Sequence, residues 1–88
     1  MNAATVRPIR VTVLDTWDEV GFEAEPGMML TELKAAALAR AGVSRPPEEY
    51  LVKYLGAELA EGSRTVADAG IEPNGALIVL RRRRSPVR

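Results

Sequence analysis

Carboxylates are the most numerous side chains in this sequence that could act as acid–base catalysts. The 88 residues contain no cysteine and no histidine, which removes thiolate nucleophiles, disulfides, the usual zinc ligands and imidazole acid–base chemistry. Glu48 and Glu49 could be cast as an acid–base pair, but adjacent side chains on an extended segment point in opposite directions. Because no set of nucleophile, base and orienting group can be assembled, we predict that the protein is not an enzyme.

The other acidic residues and the glycines do not form a metal or phosphate site. Glu58, Glu61 and Asp68 lack the regular alternation of ligands found in a calcium-binding loop. The stretch GAELAEG has the glycines of a turn but not the glycine–lysine–hydroxyl ending of a phosphate-binding loop. We therefore expect no metal and no cofactor.

An arginine run, consisting of Arg81, Arg82, Arg83 and Arg84, follows directly on an apolar stretch. The first 80 residues carry seven basic and twelve acidic side chains, a net charge of −5, so the chain has an acidic body and a basic end. Three interpretations remain open: a solvated end that aids solubility, docking on an acidic protein, or binding of nucleic acid or anionic lipid. No aromatic residue lies among the arginines, which disfavours single-stranded nucleic acid.

Length and hydropathy predict a single soluble domain. No apolar run approaches about 18 residues, and the N-terminus MNAATVRPIR lacks the apolar centre of a signal peptide. We therefore expect a monomer in the cytoplasm. Only Lys34 and Lys53 among the twelve basic residues are lysines, which together with abundant alanine is typical of a high-GC bacterial gene.

Hydrophobic periodicity predicts four strands and one helix. IRVTVL and VGFEAE alternate between apolar and polar residues around a short polar loop, which indicates a β-hairpin. LTELKAAALARA, residues 30–41, is rich in helix formers and is followed by a glycine that can end the helix. YLVKYLG and ALIVL predict two more strands, and the segment between them is predicted to consist mostly of turns. The fold class is therefore α+β, a mixed sheet of four to five strands covered by one helix, with a right-handed crossover: the β-grasp architecture.

Over residues 9–84 the sequence resembles ubiquitin and its relatives. The resemblance is carried, in order, by EAEP, LTELKAAALARAGV, PPEE, LVKYLGAEL, EGSRTVADAGI and ALIVLRRR. It implies a ubiquitin-like domain at residues 9–82, with a flexible N-terminus at 1–8 and a flexible basic tail at 83–88. It also implies that Lys34, the counterpart of a largely buried lysine, lies inside the domain.

The sequence departs from ubiquitin at the terminus that the family uses for conjugation. Ubiquitin-like modifiers and sulfur carriers end in two glycines, because an extended tail has to pass through a narrow enzyme cleft. Ser85 and Pro86 stand in those places here, and no glycine follows Gly75. We therefore expect a protein that is not conjugated. The alternatives are a modifier or sulfur carrier with an atypical terminus, or an accessory protein of a type VII secretion system, because TVADAGIEPNGALIVL resembles bacterial YukD-type proteins.

The resemblance also predicts a binding surface for a protein partner. Ubiquitin binds partners through an apolar patch on the exposed face of its sheet, and four residues here are expected to face outward together in that region: Leu51, Lys53, Ile78 and Leu80. Lys53 stands in place of the central isoleucine of the patch, and its first leucine falls in the hairpin loop near Asp15 or Thr16. Trp17, at the hairpin tip, either folds back on its own hairpin or is an exposed anchor for a partner.

Overall fold

The computed structural model describes residues 6–62 and 64–82, which form five strands and two helices. The elements in chain order are β1 (Arg7–Val13), β2 (Asp18–Ala24), α1 (Leu30–Arg40), β3 (Tyr50–Tyr54), β4 (Ala57–Glu58), α2 (Val66–Ala69) and β5 (Gly75–Arg81), with a 3₁₀ turn at Pro47–Glu49 before β3.

The strands form one mixed sheet in the order β2-β1-β5-β3-β4. β1 and β5 run parallel at its centre, and the three other pairings are antiparallel. A chain that makes a hairpin, crosses over through α1 and returns to pair its last strand with its first has the β-grasp arrangement. The predicted α+β class, with a mixed sheet covered by one main helix, is confirmed.

The core lies between α1 and one face of the sheet, here called the inner face. Alternate residues of β1, β3 and β5 point into it, as the period of two requires. The buried apolar side chains of these three strands are Ile9, Val11, Val13, Tyr50, Val52, Leu77 and Val79. α1 supplies Leu30, Leu33, Ala37 and Leu38 from one stripe. The opposite, outer face of the sheet has no helix upon it among the described residues.

The N-terminus of α1 is tied to the segment that precedes α2. The backbone N–H of Met29 donates to Glu32 Oε1 at 3.1 Å, which satisfies one of the free donors at the helix start. Leu30 N donates to the carbonyl oxygen of Arg64 at 3.0 Å, and Val66 N donates to that of Met28 at 2.9 Å. The helix ends at Arg40, one residue before the predicted end, and Gly42 follows in the left-handed region with φ 79°.

Two elements lie in the segment that was predicted to consist mostly of turns. α2 is a single turn of helix with reciprocal capping: Asp68 N donates to Thr65 Oγ1, and Thr65 N donates to Asp68 Oδ2, each at 3.1 Å. Gly70 ends it in the left-handed conformation. β4 pairs with β3 through only two residues, beyond a tight turn at Leu55–Gly56. Both elements are too short for a hydrophobic period to reveal them. β1, in turn, begins at Arg7 rather than Ile9.

Arg40 covers part of the free edge of β2. Its guanidinium lies 4.9 Å from the centre of the Phe22 ring, and its Nη1 donates to the carbonyl oxygen of Gly21 at 3.0 Å. An unpaired strand edge is a template for pairing with another chain, and a charged side chain placed over it opposes such pairing.

A buried ion pair joins α1 to the loop after β4. Lys34 is only 4% exposed, as the resemblance implied, and its Nζ lies 2.8 Å from Glu61 Oε1. The same ammonium donates to the carbonyl oxygen of Tyr50 at 2.9 Å. A buried cation costs several kcal/mol to desolvate, of order 20 by an idealised estimate, so losing its carboxylate partner is expected to destabilise the domain.

We expect substitutions of the partly buried Glu61 and of the exposed Glu58 to differ in their effect on stability. Glu61→Ala leaves a buried ammonium without its carboxylate and should lower the free energy of unfolding by about 3 kcal/mol. Glu58→Ala removes only an exposed carboxylate, and its effect should stay within about 0.5 kcal/mol. Urea unfolding of both variants measures the difference. Equal effects would show that the Lys34–Glu61 pair does not support the fold.

The phenol of Tyr50 is a second buried polar group. Its hydroxyl donates to the Asp15 carboxylate, and the residue is fully buried. Burial first, and then the hydrogen bond to Asp15, raise the pKa of the Tyr50 phenol above its ordinary value. The folded state therefore holds this proton more tightly than the unfolded state does.

Stability should consequently fall in alkaline solution. The contribution of Tyr50 is fully present below the pKa of an unfolded tyrosine, about 10, and is lost as the pH rises through the higher value of the folded state. Unfolding free energies measured between pH 8 and about 11.5 should decline more steeply for the wild type than for Tyr50→Phe. Tyr54→Phe, which keeps Tyr50, should follow the wild type. Parallel curves for the wild type and Tyr50→Phe would contradict this assignment.

Candidate protein-interaction surface

The outer face of the sheet brings the four predicted surface residues together. In the antiparallel pairing of β3 with β5, Leu51 lies directly opposite Leu80, and Lys53 lies directly opposite Ile78. Their neighbours Val52, Leu77 and Val79 are buried on the inner face. The four side chains thus form two adjacent cross-strand pairs on the face that α1 does not cover.

Leu14 joins this group and was not predicted to do so. The parallel register places Thr12 beside Ile78 and Val13 beside Val79, and Leu14 N donates to the carbonyl oxygen of Val79 at 3.0 Å. The ladder therefore continues to Leu14, next to Leu80 on the same face. The resemblance placed the counterpart of the first leucine of the ubiquitin patch near Asp15 or Thr16, in the hairpin loop. In the structure the apolar side chain is instead that of Leu14, directly after β1. The alternation of IRVTVL, which ends at Leu14 on the same face as Arg10 and Thr12, contained the signal.

We call Leu14, Leu51, Lys53, Ile78 and Leu80 the outer patch. Ile78 is 41% exposed and the other four are partly exposed, so none belongs to the core. Lys53 carries the only charge of the five. It forms no ion pair with any residue in the ranges 6–62 and 64–82.

Trp17 lies at the hairpin tip and is 77% exposed. The interpretation that it folds back on its own hairpin is therefore wrong. Its φ of 58° lies in the left-handed region, which is uncommon for a bulky residue, and the pairing of Val13 with Asp18 closes the hairpin around it. Because β1 and β5 are parallel, this tip lies at the same end of the sheet as Leu80.

A second exposed apolar side chain, Leu55, lies in the tight turn between β3 and β4. It is 85% exposed, with a φ of 56°. It follows Tyr54, which pairs with Leu77, and so lies toward the opposite end of β5 from Leu80. The predicted third strand, YLVKYLG, included this leucine, and no binding role was predicted for it.

The first two residues of the arginine run are described. Arg81 pairs with Tyr50 at the end of β5. Arg82 N donates to the carbonyl oxygen of Glu49 at 2.8 Å, and Arg82 Nε donates to that of Glu48 at 2.9 Å. Its guanidinium lies 3.8 Å from Glu58 Oε2 and 4.0 Å from Glu61 Oε2. Arg83 and Arg84, and with them the predicted flexible tail, lie outside the described residues.

Open clefts lie elsewhere on the surface of the described residues, and their linings share no residue with the outer patch. One, of about 400 Å³, is lined by Glu23, Glu25, Gly27, Met28 and Glu32. The other, of about 590 Å³, lies beside α1 and is lined in part by Lys34, Glu61 and Arg82. The described residues contain no group of three or more side chains arranged to hold a metal ion. None of their helices is long and apolar enough to cross a membrane.

Solved structures establish the fold. A designed protein based on ubiquitin superposes with a TM-score of 0.76 at 24% sequence identity, over 91% of this chain and 93% of the other. The ubiquitin of Caldiarchaeum subterraneum superposes with a TM-score of 0.75 at 14% identity, over 93% of this chain and 100% of the other. The protein has a ubiquitin-like β-grasp fold. No model of a known protein family matches the sequence, and no curated protein matches it.

These similarities confirm the ubiquitin-like part of the predicted resemblance. At this level of identity they show a shared fold and leave the activity open. A bacterial origin and kinship with YukD-type proteins stay predictions.

The exposure of Trp17 has a direct optical consequence, since it is the single tryptophan of the chain. Its emission maximum should lie near that of free indole in water, and acrylamide should quench it with little protection. Trp17→Ala should change the free energy of unfolding by no more than about 0.5 kcal/mol. A blue-shifted, protected emission from the folded protein would contradict the exposed position.

Proposed function

We propose that this protein is a non-catalytic ubiquitin-like interaction module that binds a protein partner through the outer patch, with Trp17 at its border. The observation that carries the proposal is the cross-strand register. It places Leu51, Leu80 and Ile78 side by side with Leu14 on a face that no described element covers. Contiguous apolar side chains on an otherwise polar surface are typical of protein-binding sites.

The patch has the composition of a small interface. Its centre is apolar, and a tryptophan, one of the side chains most enriched among residues that dominate binding energy, stands exposed at the same end of the sheet. Arg10 and Glu19, whose side chains form an exposed ion pair with an Nη1–Oε2 distance of 3.7 Å, lie on the same face nearer the β2 edge. An apolar centre with charged residues around it fits a partner protein better than a small molecule.

The arginine run supports the same proposal through electrostatics. It begins at Arg81, at the end of the strand that carries Ile78 and Leu80. Clustered charge beside an interface accelerates the encounter with an oppositely charged partner. In this proposal the arginines attract an acidic protein, and binding of nucleic acid or anionic lipid is secondary.

Two substitutions on β5 test the patch directly. Ile78→Ser and Leu80→Ser together should abolish recovery of partner proteins on the immobilised protein from lysates of its source cells. The strand should persist, because the buried residues Leu77 and Val79 are unchanged. Leu55→Ser is the matched control, since it removes an exposed leucine outside the patch and should leave recovery intact. Circular dichroism and thermal unfolding verify the fold of each variant.

The proposal fails if the Ile78→Ser, Leu80→Ser variant recovers the same proteins as the wild type. It also fails if Leu55→Ser loses them equally, because recovery would then depend on general apolar exposure rather than on the outer patch.

The alternative of a covalent modifier or sulfur carrier makes a different prediction. In that case a glycine terminus or an equivalent activated end would produce adducts of higher mass in the cell. We expect intact-mass analysis of the protein isolated from its source to show one species without protein or sulfur adducts. Discrete adducts would support the hypothesis of a modifier or sulfur carrier. Genes of a secretion apparatus next to the gene of this protein would support the accessory role.

A further inference from the structure

We infer that Lys53 selects partners that place a carboxylate beside the apolar side chains of the outer patch, on its β4 side. This inference rests on the proposed function and adds the chemistry of the partner to it. It comes from the position of Lys53, from the engagement of its cross-strand neighbour and from the cost of burying its charge.

Lys53 lies on the β4 side of the outer patch, in a row of side chains that crosses the sheet. The register places Thr12 beside Ile78, Ile78 opposite Lys53, and Lys53 opposite Glu58. Leu51, two residues earlier in β3, lies on the same face. The aliphatic stem of a lysine in such surroundings can pack along apolar neighbours while its ammonium stays in water. A partner that covers Ile78 and Leu51 therefore also covers Lys53.

Glu58, the acidic residue that could neutralise Lys53, contacts Arg82 instead. Opposite charges directly across a strand pair ordinarily stabilise each other by about 0.2–1 kcal/mol, and Glu58 stands in that position. Its Oε2 instead lies 3.8 Å from Arg82 Nη1. Arg82 is fixed there by its hydrogen bonds to the carbonyl oxygens of Glu48 and Glu49. Lys53 is left without an ion pair in the part of the chain that the structure describes.

When a partner covers Lys53, the unpaired charge of this side chain favours some partner segments over others. An ammonium that loses its water without gaining a partner is penalised by several kcal/mol. A purely apolar segment would incur that penalty, and a basic residue would add repulsion. An aspartate or glutamate flanked by apolar residues removes both costs, because its carboxylate accepts a charge-assisted hydrogen bond from the ammonium.

A carboxylate also matches the charge available in the patch. A phosphorylated side chain carries about −1.5 to −2 charges and binds best to several cations. The outer patch offers Lys53 alone, while the guanidinium of Arg82 faces Glu58 and Glu61. The inferred occupant is therefore an unmodified acidic and apolar segment of a protein.

Selection from a library of random displayed peptides tests the inference without knowledge of the natural partner. The full-length protein and its Lys53→Glu variant are immobilised in parallel, and the selected peptides are sequenced. The wild type should enrich peptides with Asp or Glu between apolar residues, and Lys53→Glu should enrich Lys or Arg in that place. Synthetic copies of the wild-type peptides should bind Lys53→Glu at least 10-fold more weakly, and changing their acidic residue to lysine should restore binding to that variant.

Backbone amide shifts on titration with the same peptides separate the possible failures. Shifts centred on the outer patch without an acidic preference, and with affinity unchanged by Lys53→Glu, overturn the inference and leave the proposed function standing. Peptides that bind but shift no residue of the outer patch overturn both. Lys53→Met controls for the aliphatic stem. It should lose the acidic preference and bind purely apolar peptides more tightly than the wild type does, because the desolvation cost of the ammonium is gone.

Discussion

A single helix can cover only one face of a sheet, and the organisation of this protein follows from that constraint. α1 buries the inner side chains of β1, β3 and β5. None of the described elements covers the outer face, so its side chains are open to solvent or to another molecule. Glu19, Gly21 and Glu23 make the β2 side of that face polar, whereas Ile78 and Leu80 on β5 keep its other half apolar. The outer patch is this second half.

The charge network around Arg82 connects the core to that patch. Lys34 and Glu61 pair inside the domain, and Glu61 and Glu58 both face the guanidinium of Arg82 at the end of β5. One arginine thereby ties the end of β5 to β4 and to the loop that follows β4. Arg82 also holds Glu58 near itself rather than near Lys53. A contact that stabilises the end of β5 therefore affects the net charge of the outer face as well. Substitutions at Arg82 would consequently alter both regions together.

The fold could be predicted from the sequence because burial imposes a period of two on the strands and a stripe on α1. That pattern revealed β1, β2, β3 and β5 and the α1 boundaries to within two residues. α2 and β4 were not predicted, because a four-residue helix and a two-residue strand contain about one period each and a pattern must repeat to be recognised. The positions of Leu14 and Arg82 depend on strand register and on backbone carbonyls that meet only in the folded chain. The exposure of Trp17 likewise follows from the conformation of the closed hairpin turn, which the residue type alone does not predict.

Site-specific crosslinking in the cells that make the protein tests the central claim, that the outer patch is where a partner binds. A photoreactive residue is placed at Ile78 in one variant and at Ala67, exposed on α2 away from the patch, in another. Irradiation should yield a discrete protein adduct from position 78 and none of that mass from position 67. No adduct from position 78, or the same adducts from both positions, would contradict the account.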